Sequence, residues 1–301
     1  MQDYPGRPAS AEIIAQPSAR FQGLEPDFMD EASHSMTGAR PSWLVPLRCK
    51  EPGQPMLVGF PHAGGRAFNF RSLAAALPRG VGFVGIDLPG RGANMNLPLF
   101  TRIAPVADAL TAFLPSCITT PFALLGHSVG ALIAFEVAHR LACRGGPQPV
   151  HLFVSGCPGP RRASPVPSLS ALPRQELIAH LRDIGGTSGE VLANDEILDL
   201  VLPTLRADLA LADHYSCDRE GTLSCPIAAF GGTSDPVVQP ASLRDWARET
   251  NGTFTCTILP GNHFSIYVEQ PALTEFASAI VFSMTRAAPQ GACRTSDSAV
   301  Y

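Results

Sequence analysis

Short apolar runs recur through the middle of this chain, and each gives way to a stretch with helical spacing. The runs are 56–60, 81–88, 122–125, 151–155, 227–230 and 254–259. Between them, segments 68–77, 103–114, 129–143, 241–250 and 273–284 repeat apolar residues three and four apart. Strands apolar on both faces, alternating with helices, predict a mostly parallel central sheet covered on both sides. A looser alternation over 43–48 predicts an antiparallel edge strand. One region breaks the rhythm. From 159 to 217 a proline-rich loop (Pro158, Pro160, Pro165, Pro167, Pro173) leads into helical patterns at 174–184 and 195–214. A helical insertion there, ahead of the penultimate strand, predicts a lid over the ligand end of the sheet.

The flanks differ in character. Residues 1–40 mix Pro, Ser, Gly, Gln and acidic residues without an apolar period and are expected to form a disordered leader. A flexible tail is expected over 287–301, leaving one domain over 41–286 with its lid at about 159–217. Within 301 residues, 45 % hydrophobic and 16 % charged residues fit a chain with a large core. A formal charge of -4 offers no basic face for nucleic acid, and no polybasic run suits an anionic membrane. No apolar stretch reaches the roughly 20 residues of a spanning helix, and no secretory signal opens the chain. The eight cysteines stand singly, without a C-x-x-C pair, so free thiols are expected and no metal site is. A cytoplasmic monomer without a cofactor is the expectation.

Gly126-His127-Ser128-Val129-Gly130 is the sharpest signal. It is a G-x-S-x-G sequence between an apolar strand and an amphipathic helix, the setting of a nucleophile elbow in the α/β-hydrolase fold. Ser128 then stands on a strained turn at a helix N-terminus, where backbone N–H groups favour a developing oxyanion.

Serine needs a positioned base. Of the eight histidines, His34 lies in the leader, His127 adjoins the serine and should point the other way, and His139 and His180 sit in helical patterns. His151 opens a strand, His214 ends a lid helix and His62 belongs to another motif. His263, in the loop after the last strand, fits the chain order Ser…Asp…His. Asp235 follows a strand and two glycines and is held in a turn by Pro236. Asp213, Asp218 and Asp245 compete less well, since none directly follows a strand. After the first central strand, Gly59-Phe60-Pro61-His62-Ala63-Gly64-Gly65 is the loop that should lend a second oxyanion donor. The backbone N–H groups of Ala63 and Val129 are the expected pair.

Six motifs in order carry a family resemblance: Phe60-Pro61-His62-Ala63-Gly64-Gly65, Leu88-Pro89-Gly90-Arg91-Gly92, Gly126-His127-Ser128-Val129-Gly130-Ala131, Leu205-Arg206-Ala207-Asp208, Gly231-Gly232-Thr233-Ser234-Asp235 and Gly261-Asn262-His263-Phe264. Over about 43–284 the chain resembles the type II thioesterases that accompany nonribosomal peptide and polyketide synthases. The resemblance implies hydrolysis of acyl or aminoacyl thioesters on the phosphopantetheine arm of acyl or peptidyl carrier proteins, clearing stalled units, with Ser128, Asp235 and His263 as triad. The chain departs from that pattern at Arg66, Asn262 and Ser265-Ile266. His62, Arg66 and Arg206 are candidate substrate or carrier contacts, although the Arg206-Ala207-Asp208 stretch suits a structural ion pair better. Arg66, Arg161 and Arg162 are candidates to meet an acidic carrier. Three rivals stand beside this reading: an acyltransferase using the same acyl-enzyme, a carboxylesterase acting on free esters, and a catalytically dead binding module.

Overall fold

The structure, a computed structural model, describes residues 43–161, 168–218, 220–267 and 271–287. The expected leader, the tail beyond Ala287, and Arg162, Pro165 and Pro167 of the lid loop lie outside the described residues. The strands are β1 (Leu44–Arg48), β2 (Met56–Phe60), β3 (Gly82–Ile86), β4 (Phe122–His127), β5 (His151–Ser155), β6 (Ile227–Gly232) and β7 (Phe254–Leu259). They form one sheet in the order β1-β3-β2-β4-β5-β6-β7. Only β1 is antiparallel, paired with β3, and its Pro46 is tolerated because β1 is an edge. Every residue of β2, β3, β4, β5 and β6 is buried, which accounts for their unbroken apolar runs.

The helices are α1 (Arg71–Ala76), α2 (Ile103–Cys117), α3 (Val129–Cys143), α4 (Arg174–Ile184), α5 (Gly189–Leu192), α6 (Asp195–Asp213), α7 (Pro240–Leu243) and α8 (Pro271–Ala287). Two cores lie on opposite faces of the sheet. On one, α2 and α3 bury Val106, Leu110, Ile133 and Phe135 against Val58, Leu124 and Val154. On the other, α1 and α8 bury Leu73, Phe276 and Ile280 against Leu57, Leu125 and Phe153. Strand residues therefore alternate between the two clusters, as the period of two requires. Helix α3 is buried around nearly its whole circumference, because the sheet covers one side and α2 the other.

Helices α4, α5 and α6 fill the interval between β5 and β6 and share a separate leucine cluster of Leu177, Leu181, Leu192, Leu198, Leu202 and Leu205. The start of α6 is set locally. Asn194 caps it by accepting the Ile197 N–H at 3.0 Å, and Asp195 and Glu196 oppose the positive end of the helix dipole. Two expected helices are shorter than their periodicity suggests. Segment 68–77 begins as a 3-10 turn, Ala67–Phe70, before α1, and 241–250 divides into α7 and a 3-10 stretch, Arg244–Glu249. In the second case the tighter winding turns Trp246 fully inward, where its indole N–H donates to the Cys157 carbonyl at 2.9 Å.

Candidate active site

Ser128 stands between β4 and α3 with φ 55° and ψ -127°, and among the described residues it alone of the non-glycines has positive φ. Such a conformation costs of order 1–3 kcal/mol and persists only where its surroundings enforce it. They do so here by close packing. The Ser128 N–H donates to the Ser155 carbonyl at 2.8 Å. A Cβ on Gly126 would lie 2.3 Å from the Gly130 carbonyl oxygen, and one on Gly130 would lie 2.2 Å from that of Phe60. Both contacts are with backbone, which cannot move aside. The Ala131 N–H donates to the Ser128 carbonyl at 2.9 Å, whereas the Val129 N–H, next to the serine at the start of α3, has no acceptor within the helix.

His263 and Asp235 meet beyond the carboxyl ends of β7 and β6. His263 Nδ1 lies 2.8 Å from Asp235 Oδ2, with side-chain exposures of 4 % and 1 %. The other carboxylate oxygen, Oδ1, accepts the N–H groups of Val237 and Val238 at 2.8 and 3.1 Å, a turn that Pro236 helps to close. Burial by itself would raise this carboxyl. The hydrogen bond and charge of His263, with the two amides, outweigh it and hold Asp235 below the usual carboxylate range. Gly156 neighbours both the Ser128 cavity and the His263 ring. Gly156 lines the same cavity as Ser128, and a Cβ there would lie 3.0 Å from His263 Cε1.

Behind the pair lies an aromatic cluster that sequence reasoning missed. His127, expected to face away, packs its fully buried ring 4.9 Å from that of His263 and 5.9 Å from that of His62. Phe264 and Tyr267 complete the group, and Tyr267 Oη lies 3.1 Å from His62 Nδ1. Burial, then the neighbouring His263, holds His127 well below its ordinary value and lowers His62 to about 3. Both rings are therefore neutral at pH 7. An aromatic residue four positions after a loop histidine is the sort of weak signal that could have pointed to Tyr267.

The loop after β2 carries Ala63 toward the serine, and Ala63, Ser128 and Val129 all line one cavity of about 430 Å³. Its other walls include Leu132 from α3, Leu209, Ala212 and Tyr215 from α6 and just beyond, and Val237 and Val238 after β6. It is a largely apolar chamber between sheet and cap with Ser128 at its wall.

The expected binding residues are placed differently. His62 turns its ring toward Tyr267. Arg66 has a 54 % exposed side chain, 3.6 Å from Asp87. Arg206 donates to the carbonyls of Ser170 and Leu172 at 2.5 and 2.7 Å, so its charge braces the cap's own backbone. Arg161 pairs with the buried Glu249 at 2.9 Å. Asp208 forms the ion pair anticipated for its stretch, with Arg91 at 2.7 Å. No cluster of three or more metal-ligating side chains occurs among the described residues, and none of their helices is long and apolar enough to cross a membrane.

A mostly parallel sheet with a strand–serine–helix elbow, a His–Asp pair after its last strands and a helical cap defines an α/β-hydrolase fold. Residues 55–281 match the thioesterase domain family, and the chain belongs to it. It is 34 % identical over 234 residues to linear gramicidin dehydrogenase LgrE of Brevibacillus parabrevis, covering 77 % of this chain and 89 % of the relative. Among solved structures, the RedJ thioesterase from the prodiginine biosynthetic pathway in Streptomyces coelicolor superposes with a TM-score of 0.71 at 34 % identity, covering 76 % of this chain and 85 % of RedJ. YbtT, a type II thioesterase from the yersiniabactin NRPS/PKS biosynthetic pathway, gives 0.74 at 30 % identity, covering 82 % of this chain and 99 % of YbtT.

Proposed function

We propose that this chain is an editing thioesterase that hydrolyses acyl or aminoacyl groups from the phosphopantetheine arm of a carrier protein in a peptide or polyketide synthase. The observation that carries the reading is the positive-φ serine at the wall of an apolar cavity, with a buried His–Asp pair at its side. His263, oriented through Nδ1 by Asp235, takes the Ser128 proton on Nε2 as Oγ attacks the thioester carbonyl. The Ala63 and Val129 amides receive the oxyanion. The C–S bond breaks, and the imidazolium returns its proton to the departing thiolate. Water, deprotonated by His263, then cleaves the acyl-serine and releases a free acid. The apolar walls suit an acyl chain.

The name of LgrE gives dehydrogenation, and the site favours hydrolysis instead. A dinucleotide site leaves its glycine backbone open to a pyrophosphate, whereas Gly126 and Gly130 here are closed against backbone.

The test is hydrolysis of a panel of acyl- and aminoacyl-phosphopantetheinyl carriers by the wild type and by Ser128→Ala. Release of free acid by the wild type, lost in a folded Ser128→Ala, is the expected result. Full activity in that variant would reject the assignment. Product found only on an added alcohol or amine, or turnover confined to simple esters, would replace hydrolysis of carrier thioesters with acyl transfer or esterase activity.

A further inference from the structure

Helix α6 carries one carboxylate within its buried stripe. Leu198, Leu202, Leu205 and Leu211 supply the apolar positions, and Asp208 sits among them at 4 % exposure. A buried carboxylate demands compensation, and both sources lie outside the cap. Oδ1 accepts from Arg91 Nη2 at 2.7 Å, with both side chains 5 % exposed. Oδ2 accepts the backbone N–H of Gly64 at 2.7 Å. Arg91 in turn donates Nη1 to the Gly65 carbonyl at 2.8 Å. The turn that follows Ala63 is thus gripped twice, by its N–H from the cap and by its C=O from Arg91. Leu205 adds a third contact, since a Cβ on Gly64 would lie 3.2 Å from Leu205 Cδ1. Ala63 itself packs against the cap's leucine cluster.

The geometry points to Asp208 as a positioning residue that makes the oxyanion loop depend on the seating of the cap. The inference rests on the proposal that the Ala63 amide is an oxyanion donor. Holding Gly64 N fixes the peptide plane between Ala63 and Gly64, and with it the direction of the chain at Ala63. A charge-assisted bond from a buried carboxylate does this more firmly than water would. With the cap unseated, the carboxylate leaves the turn and the donor loses its aim. The acyl chain lies between cap and sheet, so a chain that lets the cap seat meets a formed oxyanion hole. One that props the cap open meets a slack hole, and acyl size is read out in kcat.

The experiment compares Asp208→Asn and the double variant Arg91→Met, Asp208→Leu with the wild type. Three quantities are measured: kcat and KM on an acyl-phosphopantetheinyl carrier, the unfolding midpoint, and the affinity of an alkyl boronic acid. The boronic acid adds to the serine and presents a tetrahedral anion to the hole. In Asp208→Asn the single amide oxygen can serve Gly64 only by turning its NH2 toward Arg91, so one of the two bonds is lost, and kcat should fall about tenfold with KM within about twofold. The double variant replaces a buried ion pair with apolar groups but takes the partners from the Gly64 N–H and the Gly65 carbonyl, so its unfolding midpoint should drop only modestly, while kcat and boronate affinity fall together by about 100-fold. Unchanged kcat in either folded variant, or a loss of kcat without a parallel loss of boronate affinity, overturns the inference. Should the double variant not fold, Asp208→Asn alone decides by the same criteria. A wild-type enzyme that does not bind the boronate overturns the Ser128 reading itself, and this inference with it.

Discussion

Asp235 uses both of its carboxylate oxygens: Oδ2 faces His263 Nδ1 at 2.8 Å, and Oδ1 accepts the Val237 and Val238 amides. The backbone thus orients the carboxylate that holds the His263 ring. Asp235→Asn preserves shape but presents an amide where a carboxylate stabilised the imidazolium. Turnover of a carrier-bound acyl group should fall by about 10³–10⁴-fold, with a far smaller change in KM. A loss below tenfold would remove Asp235 from the catalytic group.

Gly130 bears on both stability and activity. A methyl group there would lie 2.2 Å from the Phe60 carbonyl oxygen and 2.5 Å from that of Pro61. Gly130→Ala should therefore push α3 away from the end of β2, cost about 1–3 kcal/mol by overpacking and displace Ser128. Denaturant unfolding and a fluorophosphonate labelling rate would check it, and normal values of both would contradict it.

Acid should destabilise the fold through three buried histidines. Burial first of all lowers them from an ordinary value of 6.5, His62 to about 3, His151 to about 4 and His127 well below the ordinary value. Once unfolded these rings bind protons near 6.5, while folded they do not. The unfolded chain therefore holds more protons across pH 6.5 to 4, and stability falls as pH falls through that window, by up to about 1.4 kcal/mol per pH unit for each group. Asp235 runs differently: its carboxyl is held below 3.8, so its contribution persists above that value and is lost only in stronger acid. Denaturant melts at pH 7 and pH 5 measure the slope, and His151→Phe should flatten it by one proton's worth.

Acyl preference should respond to the α6 wall. Ala212 lines the cavity of about 430 Å³. Ala212→Phe should lower kcat/KM on long acyl chains by more than about tenfold, equivalent to 1.4 kcal/mol, and leave acetyl nearly unaffected. Equal losses on both would mean that chains do not enter this chamber.

Much of this arrangement is legible in the primary order because its causes are local. The apolar runs at 56–60 and 151–155 coincide with β2 and β5, whose residues are all buried, 129–143 coincides with α3, and 254–259 coincides with β7, an edge strand in which Leu259 alone is buried. Ser128, Asp235 and His263 each follow a strand, and a parallel sheet carries all strand ends of one sense to one edge. What could not be read depends on partners distant in sequence. Arg91 and Asp208 stand 117 residues apart, and His62 and Tyr267 stand 205 apart. Nothing around Arg206 reveals that its guanidinium donates to the carbonyls of Ser170 and Leu172. The split of 241–250 likewise hinges on where Trp246 finds a carbonyl, which periodicity does not encode.

His263 sits in the loop that leaves β7, and among the described residues β7 is bonded to one neighbouring strand only, β6. Ser128, by contrast, leaves β4, in the middle of the sheet. A border strand frays before the interior does, so on warming the enzyme should fall silent while most of its tertiary order survives. Its working ceiling is set by how well its outermost ribbon stays zipped, and engineering for heat tolerance should begin there and not in the core.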